Sequence, residues 1–201
     1  IILKTIRMEY INLNAFDDLI KITYKNANIF LIHDFFKKES LEKIKNKLNE
    51  VYHEEHLWQK VHKQEICERR HLKIEEVDFF RELNEEFKSS ELINKIKDTL
   101  GWDINRGGLI IWHDTEGYDI SLHVDNENVK HAIQIYLTGK DNQLGTSFAR
   151  KQDEKSNDIF MTLPYKENFG YCMKNVDDVV HGLLTKVPKN FDRYSFYSLY
   201  D

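Results

Sequence analysis

The stretch ISLHVDNENVKHAIQIYLT, residues 120–138, contains the pattern that decides the expected fold. Its two ends, 120–124 and 131–138, are rich in apolar and β-branched residues, and a polar segment rich in Asn, Asp and Glu separates them. Short apolar segments bounded by turn-forming residues are typical of β-strands. We therefore predict two strands joined by a short connection.

The same pattern of short strands and turns continues from residue 106 to the end of the chain. Six further segments of this kind predict strands at 109–112, 146–149, 158–162, 169–173, 179–181 and 194–200. Eight short strands separated by Gly, Asn and Asp favour a sandwich or a jelly-roll barrel. The predicted fold class is α+β: a double-stranded β-helix, or cupin-like jelly-roll barrel, buttressed by N-terminal helices.

The first hundred residues have a mainly helical pattern. Ser40 is the expected N-cap of a first helix, and a second helix is predicted around 77–87. A third helix should begin after Ser89 or Ser90 and stop at Gly101, because glycine tolerates the left-handed conformation that ends many helices.

Length and composition indicate one folded domain. The chain has 201 residues, of which 41% are hydrophobic and 31% charged, as in ordinary globular proteins. We expect residues 1–105, with a strand at 28–36 and the helices, to support residues 106–201. The second segment should form the barrel core that carries the site, and the two should be integrated in one domain.

Cysteine content, hydropathy and charge exclude several classes of protein. Cys67 and Cys172 are isolated, so neither a disulfide framework nor a thiolate zinc site is indicated. No segment approaches the roughly 18 apolar residues that span a bilayer, so we expect no membrane association and a cytoplasmic location. The net charge is −5, and the basic run at 69–73 is most simply interpreted as a solvated surface, with contact to an anionic substrate as the alternative. Nucleic-acid binding is therefore not expected, and the oligomeric state stays open.

The His-Val-Asp sequence at 123–125 is the main candidate for chemistry. Alternate side chains of a strand point to the same side, so His123 and Asp125 should project together. His181, which follows an apolar run, is the expected third ligand. Two imidazoles and one carboxylate that leave coordination positions open are the arrangement of non-haem iron(II) oxygenases.

An arginine in the last predicted strand supports the same site. Arg193, Ser195 and Tyr197 should share one inward face of that strand. A buried guanidinium is costly unless it pairs with a carboxylate of the protein or of a ligand. A dicarboxylate co-substrate would meet that need.

Together these segments resemble the 2-oxoglutarate- and iron(II)-dependent dioxygenases, in particular the prolyl-hydroxylase-like branch. The resemblance covers roughly residues 28–201 and depends on the order and spacing of several pieces. These pieces are 29–36 with the helix at Ser40, His123-Val124-Asp125-Asn126, Ile135-Tyr136-Leu137-Thr138, Leu144-Gly145-Thr146-Ser147-Phe148, His181 and Arg193-Tyr194-Ser195. The sequence departs from the family's usual double glycine at Gly145-Thr146.

The resemblance implies a cofactor, a co-substrate and their binding residues. It implies that His123, Asp125 and His181 hold Fe(II), and that 2-oxoglutarate chelates the iron while Arg193 holds its far carboxylate. Tyr136 and, more weakly, Ser195 would assist Arg193. Dioxygen is the implied second substrate, ascorbate a candidate reductant, and hydroxylation with release of succinate and CO2 the implied reaction.

Two other functions remain open at this point. One is a cupin-like protein that binds a metal or small ligand without oxygenase turnover. The other is a metal-dependent isomerase or hydrolase on the same ligands, which would not need Arg193. The sequence does not identify the primary substrate, although the resemblance leans toward a protein or amino-acid side chain.

Overall fold

The computed structural model describes residues 8–63, 68–126, 129–142, 144–151, 157–176 and 178–200. Three α-helices lie in these ranges: α1 Lys38–Val51, α2 Asp78–Phe87 and α3 Ser90–Leu100. The strands of the first half are β1 Ile20–Tyr24, β2 Ala27–His33, β3 Trp58–Lys63 and β4 Glu68–Leu72. Those of the second half are β5 Gly107–Asp114, β6 His131–Tyr136, β7 Lys140–Asn142, β8 Ser147–Lys151, β9 Asn157–Thr162, β10 Tyr165–Lys166, β11 Phe169–Lys174, β12 Val179–Gly182 and β13 Arg193–Tyr200.

Eight of the strands in the described ranges form one antiparallel sheet, in the order β1-β2-β11-β6-β13-β5-β4-β3. A smaller sheet has the order β12-β8-β9, and β10 pairs with β7. The large sheet takes β1 to β4 from residues 1–105 and the others from 106–201. The α+β class is thus confirmed. That residues 106–201 form a core carrying the site, supported by residues 1–105, stays a prediction.

The large sheet separates a helical layer from the smaller sheet. In β6, Ile133 and Ile135 join the core that contains the helices, while Tyr136 joins a second core with Phe148 and Val179 of the smaller sheet. Because strand side chains alternate between faces, β6 contributes to both cores, as β2 and β11 also do. All six residues of β6 are buried, as expected for a central strand covered on both faces.

The helices follow the sequence prediction with one correction. Ser89 caps α3 by accepting a hydrogen bond from the Leu92 amide at 3.2 Å, and Gly101 ends it with φ +68°. Ser40 is not the cap of α1, because the helix already begins at Lys38. Its hydroxyl donates instead to the carbonyl of Glu9 at 3.1 Å.

The strand predicted at 120–124 does not form. His123 makes a single antiparallel bridge with His181, in which each backbone amide donates to the other's carbonyl at 2.9 Å. The pairing is irregular beyond it, since the amide of Leu183 donates to the carbonyl of Ile120. No helix in the described part of the chain has the length and apolar character needed to cross a membrane.

Candidate metal centre and its cavity

His123, Asp125 and His181 lie together, with ligand atoms within 4.8 Å of one another. Nε2 of His123 is 3.7 Å from Oδ1 of Asp125, and Nε2 of His181 is 3.6 Å from Oδ2. These distances exceed hydrogen-bond length and leave room for one small divalent ion. Two imidazoles and a carboxylate suit a first-row transition metal, so the donor set fits iron(II).

A glycine brings the two chain segments of this cluster close together. A Cβ on Gly182 would lie 2.6 Å from the carbonyl oxygen of Ile120 and 2.8 Å from that of Ser121. Both are backbone atoms that a side chain cannot push aside cheaply. Gly182 therefore allows residues 120–123 to lie close against β12, which places His123 beside His181.

Hydrogen bonds orient two of the three candidate ligands. Nδ1 of His123 is 2.8 Å from the Ser121 carbonyl, which leaves Nε2 facing Asp125. The Tyr197 hydroxyl donates to Oδ2 of Asp125 at 2.7 Å, and the Asn175 side-chain amide donates to the Asp125 carbonyl at 3.1 Å. Such supporting bonds are usual around metal ligands. The buried Nδ1 of His181 departs from this rule, since it has no partner among the described residues.

The protonation states of two candidate ligands, His181 and Asp125, suit metal binding. Burial lowers the pKa of His181 to about 4, so its imidazole is neutral near pH 7. Burial opposes ionisation of Asp125, but His123, His181 and the Tyr197 hydroxyl outweigh it and hold the pKa of this carboxyl below its usual value. The contact with Asp125 raises the pKa of His123, and burial acts against that rise.

The three side chains line a cavity of about 130 Å³ between the two sheets. Its other lining residues are Arg69, Trp112, Ile120, Gln134, Thr146, Tyr171, Gly182, Leu183, Arg193 and Tyr197. His123 is 36% exposed, whereas His181 is 7% exposed. The cavity is therefore more accessible to solvent on the His123 side.

Tyr136 and Ser195, the two predicted helpers, contact residues that line the cavity. The Tyr136 hydroxyl donates to the Thr146 hydroxyl at 2.8 Å and accepts from the Thr146 amide at 2.7 Å. Ser195 accepts from the side-chain amide of Gln134 at 3.1 Å. Thr146 thus supplies a polar group at the edge of the cavity. The roles of Tyr136 and Ser195 in ligand binding stay predictions.

Arg193 is buried and forms part of a row of charges across β4, β5 and β13. Its Nη1 donates to Oδ2 of Asp114 at 2.6 Å, and its Nε donates to the Leu144 carbonyl at 3.0 Å. Arg69 donates to the same carboxylate from Nε at 2.6 Å and from Nη2 at 3.1 Å. Arg69, Asp114 and Arg193, which are paired in register, are called the cavity row below.

The charge of Asp114 is fixed by its partners. Burial alone would raise its pKa, but the charges of Arg69 and Arg193 outweigh burial and hold the pKa of this carboxyl below its usual value. Asp114 is therefore ionised, in spite of a side chain that is 0% exposed.

On the same three strands, the residues adjacent to the cavity row form a second row on the helical face of the sheet. Nε of Arg70 donates to Nδ1 of His113 at 2.8 Å, and His113 stacks on Tyr194 with ring centroids 4.3 Å apart. Arg70, His113 and Tyr194 are called the core row. Nε2 of His113 is also 2.6 Å from Asp192.

Sequence reasoning missed Arg69 and Asp114. The run at 69–73 is not a solvated surface, because the side chains of Arg69 and Arg70 are only 12% and 8% exposed. Trp112, in the same strand as Asp114, lines the cavity. Strand alternation puts Asp114 on the same face as Trp112. This alternation was the sequence signal that could have placed Asp114 beside the cavity.

Solved structures match the chain over most of its length, whereas no protein-family model and no curated protein matches it. A prolyl-4-hydroxylase from Pseudomonas putida has a TM-score of 0.60 at 10% identity, with 94% of this chain and 97% of that chain covered. A prolyl hydroxylase from Trichoplax adhaerens, in complex with a hypoxia inducible factor oxygen degradation domain peptide fragment, has a TM-score of 0.62 at 14% identity, with 86% and 82% covered. A 2OG-Fe(II) oxygenase family oxidoreductase from Burkholderia pseudomallei has a TM-score of 0.57 at 13% identity, with 86% and 84% covered. The chain therefore has the prolyl-hydroxylase-like fold of the 2-oxoglutarate- and iron(II)-dependent oxygenases.

Proposed function

We propose that this chain is a 2-oxoglutarate- and Fe(II)-dependent oxygenase on a double-stranded β-helix, and that it hydroxylates a substrate with release of succinate and CO2. One observation carries the proposal: His123, Asp125 and His181 converge in a single cavity that is also lined by Arg193. A metal site and a buried cation in one cavity suit a co-substrate with a chelating end and a distant carboxylate.

Each residue of the site has a distinct task in this proposal. His123, Asp125 and His181 hold the iron, and Tyr197 keeps the Asp125 carboxylate oriented through its hydrogen bond. Arg193 receives the far carboxylate of 2-oxoglutarate. When bound, iron and 2-oxoglutarate together supply the oxidising chemistry. The chain provides fixed donors and a cavity that restricts water.

The proposed primary substrate is a protein or amino-acid side chain. The Trichoplax enzyme with the same fold is in complex with a peptide fragment, which favours this class. The more exposed side of the cavity, at His123, is where a substrate side chain would reach the metal. Proline is one candidate within the class.

Anaerobic titration with 2-oxoglutarate tests the proposal directly. The iron(II)-loaded chain should develop the visible metal-to-ligand charge-transfer band of a chelated 2-oxo acid, saturating at one equivalent. The same titration on His123→Ala should give no band. A wild-type chain that binds iron but gives no band would exclude the proposed co-substrate.

A binding protein without turnover is the alternative, and the oxygenases among the matching structures do not favour it. Succinate formation under air separates the two functions, since a binding protein would form none. Ascorbate stays a prediction, tested by adding it to the same assay.

A further inference from the structure

The cavity row contains more positive than negative charge. Arg69 and Arg193 both contact Asp114, so two guanidinium groups share one carboxylate. Asp125 is the carboxylate among the residues that line the cavity, and it faces the two histidines of the metal cluster. One unit of positive charge in the row therefore lacks a counterpart in the row itself. Both arginines line the cavity, so this charge is presented to whatever enters it.

The two arginines use their donors differently. Arg69 directs a two-pronged contact at Asp114, with Nε to Oδ1 and Nη2 to Oδ2. Arg193 makes a single contact with Oδ2 through Nη1 and gives Nε to the backbone of Leu144. Paired, two-pronged contacts are the stronger arrangement. Arg69 is thus the main partner of Asp114.

Aromatic rings fix the position of Arg69. Its guanidinium carbon lies 4.6 Å from the ring centroid of Trp112 and 4.4 Å from that of Tyr118. Stacking of this kind favours a planar guanidinium and restricts its movement. Arg69 is therefore held on Asp114 and is not a freely moving surface side chain.

We propose that Arg69 is a positioning residue for the co-substrate: by neutralising Asp114, it leaves Arg193 with an excess positive charge for the far carboxylate of 2-oxoglutarate. Without Arg69, Asp114 would pair with Arg193 alone and compete with the ligand for it. The inference rests on the proposed function and adds a residue to its binding machinery. It also explains how a buried arginine already paired with a protein carboxylate can still attract an anion.

A comparison of two ligands isolates this effect. 2-Oxobutanoate has the same chelating end as 2-oxoglutarate but no far carboxylate, so their affinity ratio in anaerobic titrations of the iron(II) chain measures the cationic anchor alone. Arg69→Gln should reduce this ratio by about tenfold or more, since a buried charge contact is weakened. The affinity for 2-oxobutanoate and for iron(II) should stay within about threefold.

Two further variants keep the test independent of folding defects. Arg69→Lys retains the charge and should keep most of the preference for 2-oxoglutarate. The double variant Arg69→Gln/Asp114→Asn removes the competing carboxylate together with its partner, and it should restore the ratio lost in Arg69→Gln.

The outcomes distinguish the role of Arg69 from the proposed function. An unchanged ratio in Arg69→Gln, or no recovery in the double variant, overturns the role of Arg69 while the proposed function stands. A wild-type chain that does not prefer 2-oxoglutarate over 2-oxobutanoate overturns both.

Discussion

The cavity row and the core row lie on the same three strands, one residue apart, and differ in how their charges are balanced. In the cavity row two arginines share Asp114, and the excess positive charge faces an open cavity. In the core row Arg70 meets a histidine and Glu55, and the row packs against Trp58 on the helical face. Under the proposed function, adjacent positions with similar residue types serve ligand binding on one face of the sheet and stability on the other.

Different consequences are expected when an arginine is replaced in the cavity row and when Arg70 is replaced in the core row. Arginines in the cavity row should affect anion affinity, because their charge is directed at a ligand. The arginine in the core row should affect stability alone.

Arg193→Ala removes the cation that is proposed to hold the far carboxylate. The affinity for 2-oxoglutarate should fall about a hundredfold, the scale for truncating one partner of a buried charge contact. Iron(II) affinity should hardly change, because no metal ligand is lost. Parallel titrations with iron(II) and 2-oxoglutarate check this, and an equal loss of both affinities would contradict the assigned role.

Arg70→Met makes the corresponding change in the core row. The buried Nδ1 of His113 would lose its donor, so the free energy of unfolding should fall by about 2 kcal/mol. Urea denaturation measures the loss. The preference for 2-oxoglutarate over 2-oxobutanoate should equal that of the wild type, and a reduced preference would show that the two rows are not separate.

The variants Tyr197→Phe and Tyr194→Phe compare the cavity face and the helical face of β13. Loss of the hydroxyl that donates to Asp125 at 2.7 Å should weaken iron(II) binding about tenfold, the usual scale for residues that orient a metal ligand. Tyr194→Phe, on the opposite face of the same strand, is the matched control and should bind iron(II) normally. Equal effects in both variants would mean that the hydroxyl of Tyr197 has no special role.

Acid should weaken the core row. Burial lowers the pKa of His113 below its ordinary value of 6.5, so below pH 6.5 the unfolded chain binds more protons than the folded one. The stabilisation that depends on neutral His113 is fully present above pH 6.5 and is lost as the pH falls through the folded pKa. His113→Gln should therefore show a shallower decline in unfolding free energy as the pH falls below 6.5. An identical decline in the wild type and in His113→Gln would show that His113 does not cause the loss of stability in acid.

Features that depend on local spacing were predicted from the sequence. The apolar faces of the helices follow from the helical period, and Leu41, Ile44 and Leu48 are buried as expected. Strand alternation correctly put Arg193 and Tyr197 on the face that lines the cavity. Local rules suffice here because the neighbours along one element determine which side is buried.

Features that depend on distant pairing were not predicted. The strands β3 and β4 have the sequences WQKVHK and ERRHL, which contain several charged residues and lack the apolar pattern of a strand. They form because β4 pairs with β5, which is distant in the chain. That same register puts Arg69 opposite Asp114, so the cavity row could not be recognised from spacing alone.

The most direct test of the central claim is the stoichiometry of metal binding. Anaerobic titration with iron(II) should give one equivalent per wild-type chain, and separate His123→Ala, Asp125→Ala and His181→Ala variants should each lose this high-affinity binding. His56→Ala changes an exposed histidine outside the cluster and serves as the control, with unchanged binding expected. If the three variants bind iron(II) as tightly as the wild type, then His123, Asp125 and His181 do not form the metal centre.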